Sequence, residues 1–203
     1  MAKILVAAAG VAIAATVGYL LHGEAKKRFE ARAVVSIIGE ATAQLKNLKA
    51  PSRETLDKVD GDLRTVKGWS NPDLADAAEQ YLLGTRQILR RRFDANHMAQ
   101  KAAASRAALS AHMMRAAHRD TSWIRTALDL KKQVERDHYE LDVQLNALAD
   151  LLDMQPQANK RLAPHVQASL LLEDSARRST RRAVLEEAKR ARVELEDTRA
   201  LLR

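Results

Sequence analysis

The chain opens on 18 uncharged residues, Ile4 to Leu21, and from there its apolar residues recur at intervals of three and four. A helix over that first stretch is roughly 27 Å long, enough to cross the hydrocarbon core of a bilayer. The pattern predicts a single transmembrane anchor within residues 1–25. A cleaved signal peptide is the alternative, since Gly23 and Ala25 are small residues suitably placed before a cleavage after Ala25. The length of the run, with only Lys3 ahead of it, favours a retained anchor. Gly10, Ala14 and Gly18 recur every fourth residue and share a helix face, where small side chains let a second membrane helix approach closely.

Beyond the anchor, Ala31, Val34, Ile38, Ala41, Leu45 and Leu48 continue a heptad seam through a juxtamembrane helix, residues 26–50. Pro51 ends it, because proline lacks a backbone donor and disfavours helix at the residue before it. Ser52 is placed to cap a short helix with Leu56, Val59, Leu63 and Val66 inward, closing at Gly68. Asn71 and Pro72 mark the next start, a capping side chain followed by proline at the first helical position. That third helix carries Leu74, Ala78, Tyr81 and Ile88 and an alanine-rich tail to about His118. Asp120, Thr121 and Ser122 offer the cap of a fourth, with Ile124, Ala127, Val134, His138, Leu141, Leu145, Leu148 and Leu152 on its seam. Residues 156–164, between Pro156 and Pro164, read as a loop. A last coiled-coil helix over 165–203 carries Val184, Ala188, Ala191, Leu195 and Leu202.

The expected fold is therefore all-α: an N-terminal membrane helix followed by an elongated helical bundle or coiled coil of about four further helices, its centre in residues 51–155. The third and fourth helices either form one long rod or fold back near residue 120. The hairpin is preferred, because it buries its own seam while a rod needs a partner. Composition agrees. Aromatic content is 3% and the chain has only seven glycines and four prolines, which leaves few turns and favours long helices filled by alanine and leucine.

Charge is concentrated in one block. Residues 86–136 carry 12 Lys and Arg against 4 Asp and Glu, equal to the whole chain's net +8. Arg86, Arg90, Arg91, Arg92, Arg106, Arg115 and Arg119 dominate it, with Lys101 and Arg125. Such a band either solvates the outside of an alanine-lined helix or attracts an acidic protein or anionic lipid. Nucleic acid is disfavoured, since only Phe93 and Trp123 lie among the arginines. Lys26, Lys27, Arg28 and Arg32 flank the anchor and slightly favour a cytoplasmic body at the inner membrane, with a periplasmic one as the alternative. The absence of cysteine gives no redox clue.

No catalytic chemistry is legible. The chain lacks a cysteine nucleophile, a Gly-x-Ser-x-Gly elbow, a phosphate-cradling glycine loop and a His-Glu-x-x-His helix. Glu135-Arg136-Asp137-His138 and Asp94-Ala95-Asn96-His97 have the spacing of two-helix di-metal ligands. Chance supplies such pairs in a charged chain, and neither Glu54 nor Glu173 is placed to complete the set. No metal, cofactor or enzymatic activity is expected. Trp69 and Trp123 read as packing anchors and Met113-Met114 as soft core filling. The functional expectation is a membrane-anchored structural scaffold or accessory subunit that binds other proteins, with homo- or hetero-oligomers forming through its seams. The alternative is a tethered sensor with a ligand cavity beside the alanine-rich third helix.

Overall fold

The computed structural model describes the backbone of residues 2–114 and 120–201, and side chains within those ranges from residue 24 onward. Among the described residues the chain forms five α-helices and no strand: α1 (Ala2–Lys46), α2 (Arg53–Lys67), α3 (Pro72–Met114), α4 (Thr121–Leu162) and α5 (Asp174–Ala200). The capping residues act as their types require. Ser52 Oγ accepts from Thr55 N–H at 3.1 Å, Asn71 Oδ1 from Leu74 N–H at 3.2 Å, and Asp120 Oδ1 from Trp123 N–H at 2.7 Å. Each satisfies a first-turn donor that the helix itself leaves unpaired.

Cross-helix pairs set the directions. Lys67 reaches Glu79 at 3.2 Å and Arg86 pairs with Asp60, so α2 runs against α3. Arg91 meets Gln144, Lys101 meets Asp137 and His112 meets Trp123, so α3 and α4 form an antiparallel hairpin rather than a rod. Arg181 meets Asp153 and Arg192 meets Asp142, so α5 runs against α4. Glu30 lies beside Ser70 and Thr42 beside Tyr81, so α1 runs with α3. Helices α1, α3 and α5 therefore share one direction, and α2 and α4 the other.

The seams meet in one core. Ile38, Leu45, Val66, Tyr81, Leu82, Leu148 and Leu152 are among its fully buried members. Two expected seam residues lie outside it. Ala31 is exposed, because its place at the rim is taken by Glu30, four residues before Val34. Ile124 is half exposed, since α4 begins beyond the reach of α5. Met114 is exposed rather than core filling, while Trp69 packs against the core. Leu202 lies outside the described residues.

Residues 156–164 are not a loop. Helix α4 continues through Pro156 to Leu162. Proline there removes only the bond that its N–H would give to the Leu152 carbonyl, and buried Leu152, Gln155 and Leu162 on either side hold the helix together. The connection comes later, through a short 3-10 turn at Ala168–Leu170, and α5 begins at Asp174 rather than His165. Periodicity misleads over residues 165–173 because neighbouring Leu171 and Leu172 are both buried across the bundle end. The turn's carbonyls are also claimed by side chains: Thr42 Oγ1 donates to Leu170 O at 2.6 Å and Asn159 Nδ2 to Leu172 O at 2.8 Å.

Among the described residues no helix is long and apolar enough to cross a membrane. The apolar stretch 4–21, with Gly10, Ala14 and Gly18, lies outside the residues whose side chains are described, so the expected anchor gains no support from the structure. The backbone of α1 is nonetheless one helix across it, from Ala2 to Lys46. Residues 24–29 are exposed all round that helix, which enters the core only at Glu30 and Val34.

Candidate functional site

Among the described residues, six of the basic band's twelve cations are turned onto the protein's own carboxylates. Arg86 is taken by Asp60 of α2. Arg92 is buried and gives two hydrogen bonds to Glu187 of α5, at 2.6 and 3.1 Å. Its Nε and the Asn96 amide both donate to the Lys49 carbonyl just past α1, at 3.4 and 3.0 Å. Arg106 pairs with Glu194 at 2.6 Å. Lys101 reaches Asp137, whose side chain is fully buried, at 3.1 Å. Arg91 donates to Gln144 at 2.7 Å. Arg90 pairs only along its own helix with Asp94 and sits over the Phe93 ring at 5.9 Å. Arg115 and Arg119 lie outside the described residues.

These pairs surround a groove of about 320 Å³ where the alanine-rich part of α3 faces α4 and α5. Ala95, Ala99 and Ala102 form its floor, with His138, Glu187 and Glu194 on its walls. Alanines leave the space because they fill less of it than the leucines of the neighbouring layers. His138 is buried. Its Nδ1 meets the Val134 carbonyl and its Nε2 meets Glu194 Oε2, both at 2.9 Å. Both partners are acceptors, so whichever ring nitrogen carries a proton donates to one of them. Burial pushes the Glu194 carboxyl up, but bonds from Arg106 and His138 outweigh it and hold it below its ordinary value. Asp137 follows the same logic. Burial raises its carboxyl, while Gln133, Lys101 and Ser105 bring it below its ordinary value.

The two motifs with metal-ligand spacing do not converge. His138 is engaged by Glu194, Asp137 by Lys101 and Gln133, and His97 stands exposed. Among the described residues no group of three or more His, Cys, Asp or Glu is placed to hold a metal ion.

A second polar cluster went unread in the sequence. Tyr81, fully buried, bonds Thr42 Oγ1 at 2.6 Å. Thr42 spends its only proton on Leu170 O, so the phenol is the donor to it. Burial pushes the Tyr81 hydroxyl up, against smaller opposing effects from Thr42, the Leu172 N–H and Gln155. Likewise Glu30 accepts from Ser70 N–H at 2.7 Å and from Ser70 Oγ at 2.8 and 2.9 Å. The available signal was positional: Glu30 sits four residues before Val34, on the line of the seam.

Comparison with protein-family models, with curated proteins and with solved structures finds no match for the chain. Function therefore rests on the arrangement of its own residues.

Proposed function

We propose that this chain is a membrane-anchored helical scaffold or accessory subunit, a structural rather than catalytic protein. The observation that carries the reading is the continuity of α1. A single helix runs from Ala2 to Lys46 and is built into the core from Val34 onward, so the apolar stretch 4–21 is joined to the bundle by a stiff arm rather than a loose linker. Residues 24–29, exposed all round, are what such an arm shows where it leaves the body.

An acidic partner or anionic lipid would meet less charge than the sequence suggests. Arg86, Arg92 and Arg106 are engaged by carboxylates of other helices, which leaves Arg90 and Arg91 among the described arginines named for that role. The deciding experiment is membrane fractionation with an alkaline wash, on the full chain and on a variant lacking residues 2–23. The full chain is expected to pellet and the variant to stay in the supernatant; a full chain that washes off overturns the reading. Protease digestion of a C-terminal tag, before and after opening the outer barrier, then assigns the side of the membrane.

One observation favours a second reading, a tethered ligand-binding bundle. The groove over Ala95, Ala99 and Ala102 lies at the lower end of the range for small-molecule sites. A small-molecule panel read by thermal shift discriminates, because a ligand of the folded state raises its melting temperature.

A further inference from the structure

The seams of α4 are used up inside the bundle, yet its outer face carries a second apolar row. Leu128 is 41% exposed, Tyr139 57%, Val143 45% and Met154 60%. Successive helical residues turn by about 100°, so these four, with Lys132, Arg136 and Asp150 between them, fall on one stripe along the helix. Lys132 and Asp150 are both exposed and have no ion-pair partner among the described residues.

The stripe is arranged symmetrically about the level of Leu141, the middle of α4. Tyr139 and Val143 lie two residues to either side of it, Lys132 and Asp150 nine, and Leu128 and Met154 thirteen. A second α4 laid antiparallel on the first, with a two-fold axis at that level, sets Tyr139 on the partner's Val143 and Leu128 on the partner's Met154. It also sets Lys132 against the partner's Asp150, twice over. A parallel pairing in register instead stacks lysine on lysine and aspartate on aspartate. Shifting the antiparallel pairing by one heptad sets Lys132 against the partner's Val143.

We infer that α4 is the self-association surface of this protein, and that two copies pair through it in an antiparallel, isologous contact centred on Leu141. Each exposed apolar side chain of the four then covers another, and Lys132 and Asp150 each find an opposite charge, as a closed two-fold interface favours. The contact rests on the outer face of α4 alone; its two-fold axis sends the two α1 arms out of opposite poles, so paired copies anchored through residues 4–21 would stand between two membrane surfaces rather than side by side in one.

The test uses the full chain in detergent, with mass measured by light scattering over a concentration series. Wild type is expected to be dimeric. Lys132→Asp and Asp150→Lys each place like charges together at two points, and each should weaken pairing by about tenfold or more. Neither side chain supports the fold, which thermal unfolding of each variant verifies. An equimolar mixture of the two variants should recover dimers, because a mixed pair restores both oppositely charged contacts. The chain contains no cysteine, so Lys132→Cys mixed with Asp150→Cys should crosslink under oxidation. A monomeric wild type overturns the inference and leaves the face to a different partner. Variants that dimerise like wild type, a mixture that fails to recover, or Lys132→Cys crosslinking to itself each overturn it as well.

Discussion

Arg92 and Glu187 are 95 positions apart in sequence and share two hydrogen bonds, with the arginine side chain only 11% exposed. The pair joins α3 to α5 while the same guanidinium reaches the carbonyl that closes α1. One side chain thus fixes three elements. Replacing Glu187 with glutamine leaves the guanidinium withdrawn from water without its counter-charge, a change that is strongly destabilising at buried sites. Glu187 is itself 34% exposed, which lets water relieve part of the loss. Glu187→Gln is expected to cost about 2 kcal/mol in urea unfolding, and Arg92→Met less, because it removes the charge instead of stranding it.

That role changes how the basic band is probed. Reversing Arg92 would unfold the bundle rather than release a partner. Arg90→Glu with Arg91→Glu is the informative variant. It should leave the melting temperature within a few degrees of wild type, since each lost contact is exposed or neutral, and it should reduce co-sedimentation with anionic vesicles at low salt. Unchanged vesicle binding would remove the band from any account of partners.

Tyr81 and Thr42 give a matched pair of tests. Tyr81→Phe deletes one donor and leaves Thr42 bonded to Leu170 O, at about 1 kcal/mol. Thr42→Val keeps the shape but strands both the Tyr81 hydroxyl and the Leu170 carbonyl, at about 2–3 kcal/mol. Reversal of that order in denaturant melts would mean that the turn at Ala168–Leu170 is not held by Thr42.

Acid should loosen the molecule. Burial raises the Glu30 carboxyl, but the Ser70 N–H, the Ser70 hydroxyl and Lys26 more than offset it, so the folded value lies below the ordinary 4.5. The ionised form is therefore favoured by folding. Its stabilisation is complete above 4.5 and is lost as pH falls through the lower, folded value. Glu194 and Asp137 act in the same direction, while Asp62, raised by burial, acts in the opposite one. Stability measured between neutral and strongly acid pH should fall at the acid end, and Glu30→Gln should flatten that limb while lowering the neutral plateau.

Pro156 offers a gain. Pro156→Ala returns an N–H to the Leu152 carbonyl within a helix already formed, and should stabilise by about 1 kcal/mol. A lower melting temperature would mean that the ring's own packing outweighs the missing bond.

The parts of the fold legible in the sequence were those set locally. Ser52, Asn71 and Asp120 cap because of their own side chains, and Leu56, Val59, Leu63 and Val66 are inward because their spacing leaves no other choice. Illegible were the parts set by distant residues. Whether Pro156 ends α4 depends on Leu162 and Gln155 being buried, and whether residues 165–173 coil depends on Thr42 and Asn159 reaching their carbonyls. The basic band shows the same divide. Composition reveals twelve cations in one block, but only the pairing of α3 with α2, α4 and α5 reveals that Asp60, Asp137, Glu187 and Glu194 answer four of them.

The shared direction of α1, α3 and α5 has a mechanical meaning. The arm of α1 leaves the body at the pole where Ser70 meets Glu30, while the last turn of α5 lies at the opposite pole, where Lys131 donates to the Arg199 carbonyl. The two poles are separated by the part of α4 from Lys131 to Leu162, roughly 47 Å at the helical rise. The body is a strut. Whatever grips the arm and whatever meets the far pole are held at a set distance, and removing matched turns from α3, α4 and α5 would shorten that distance without altering either end.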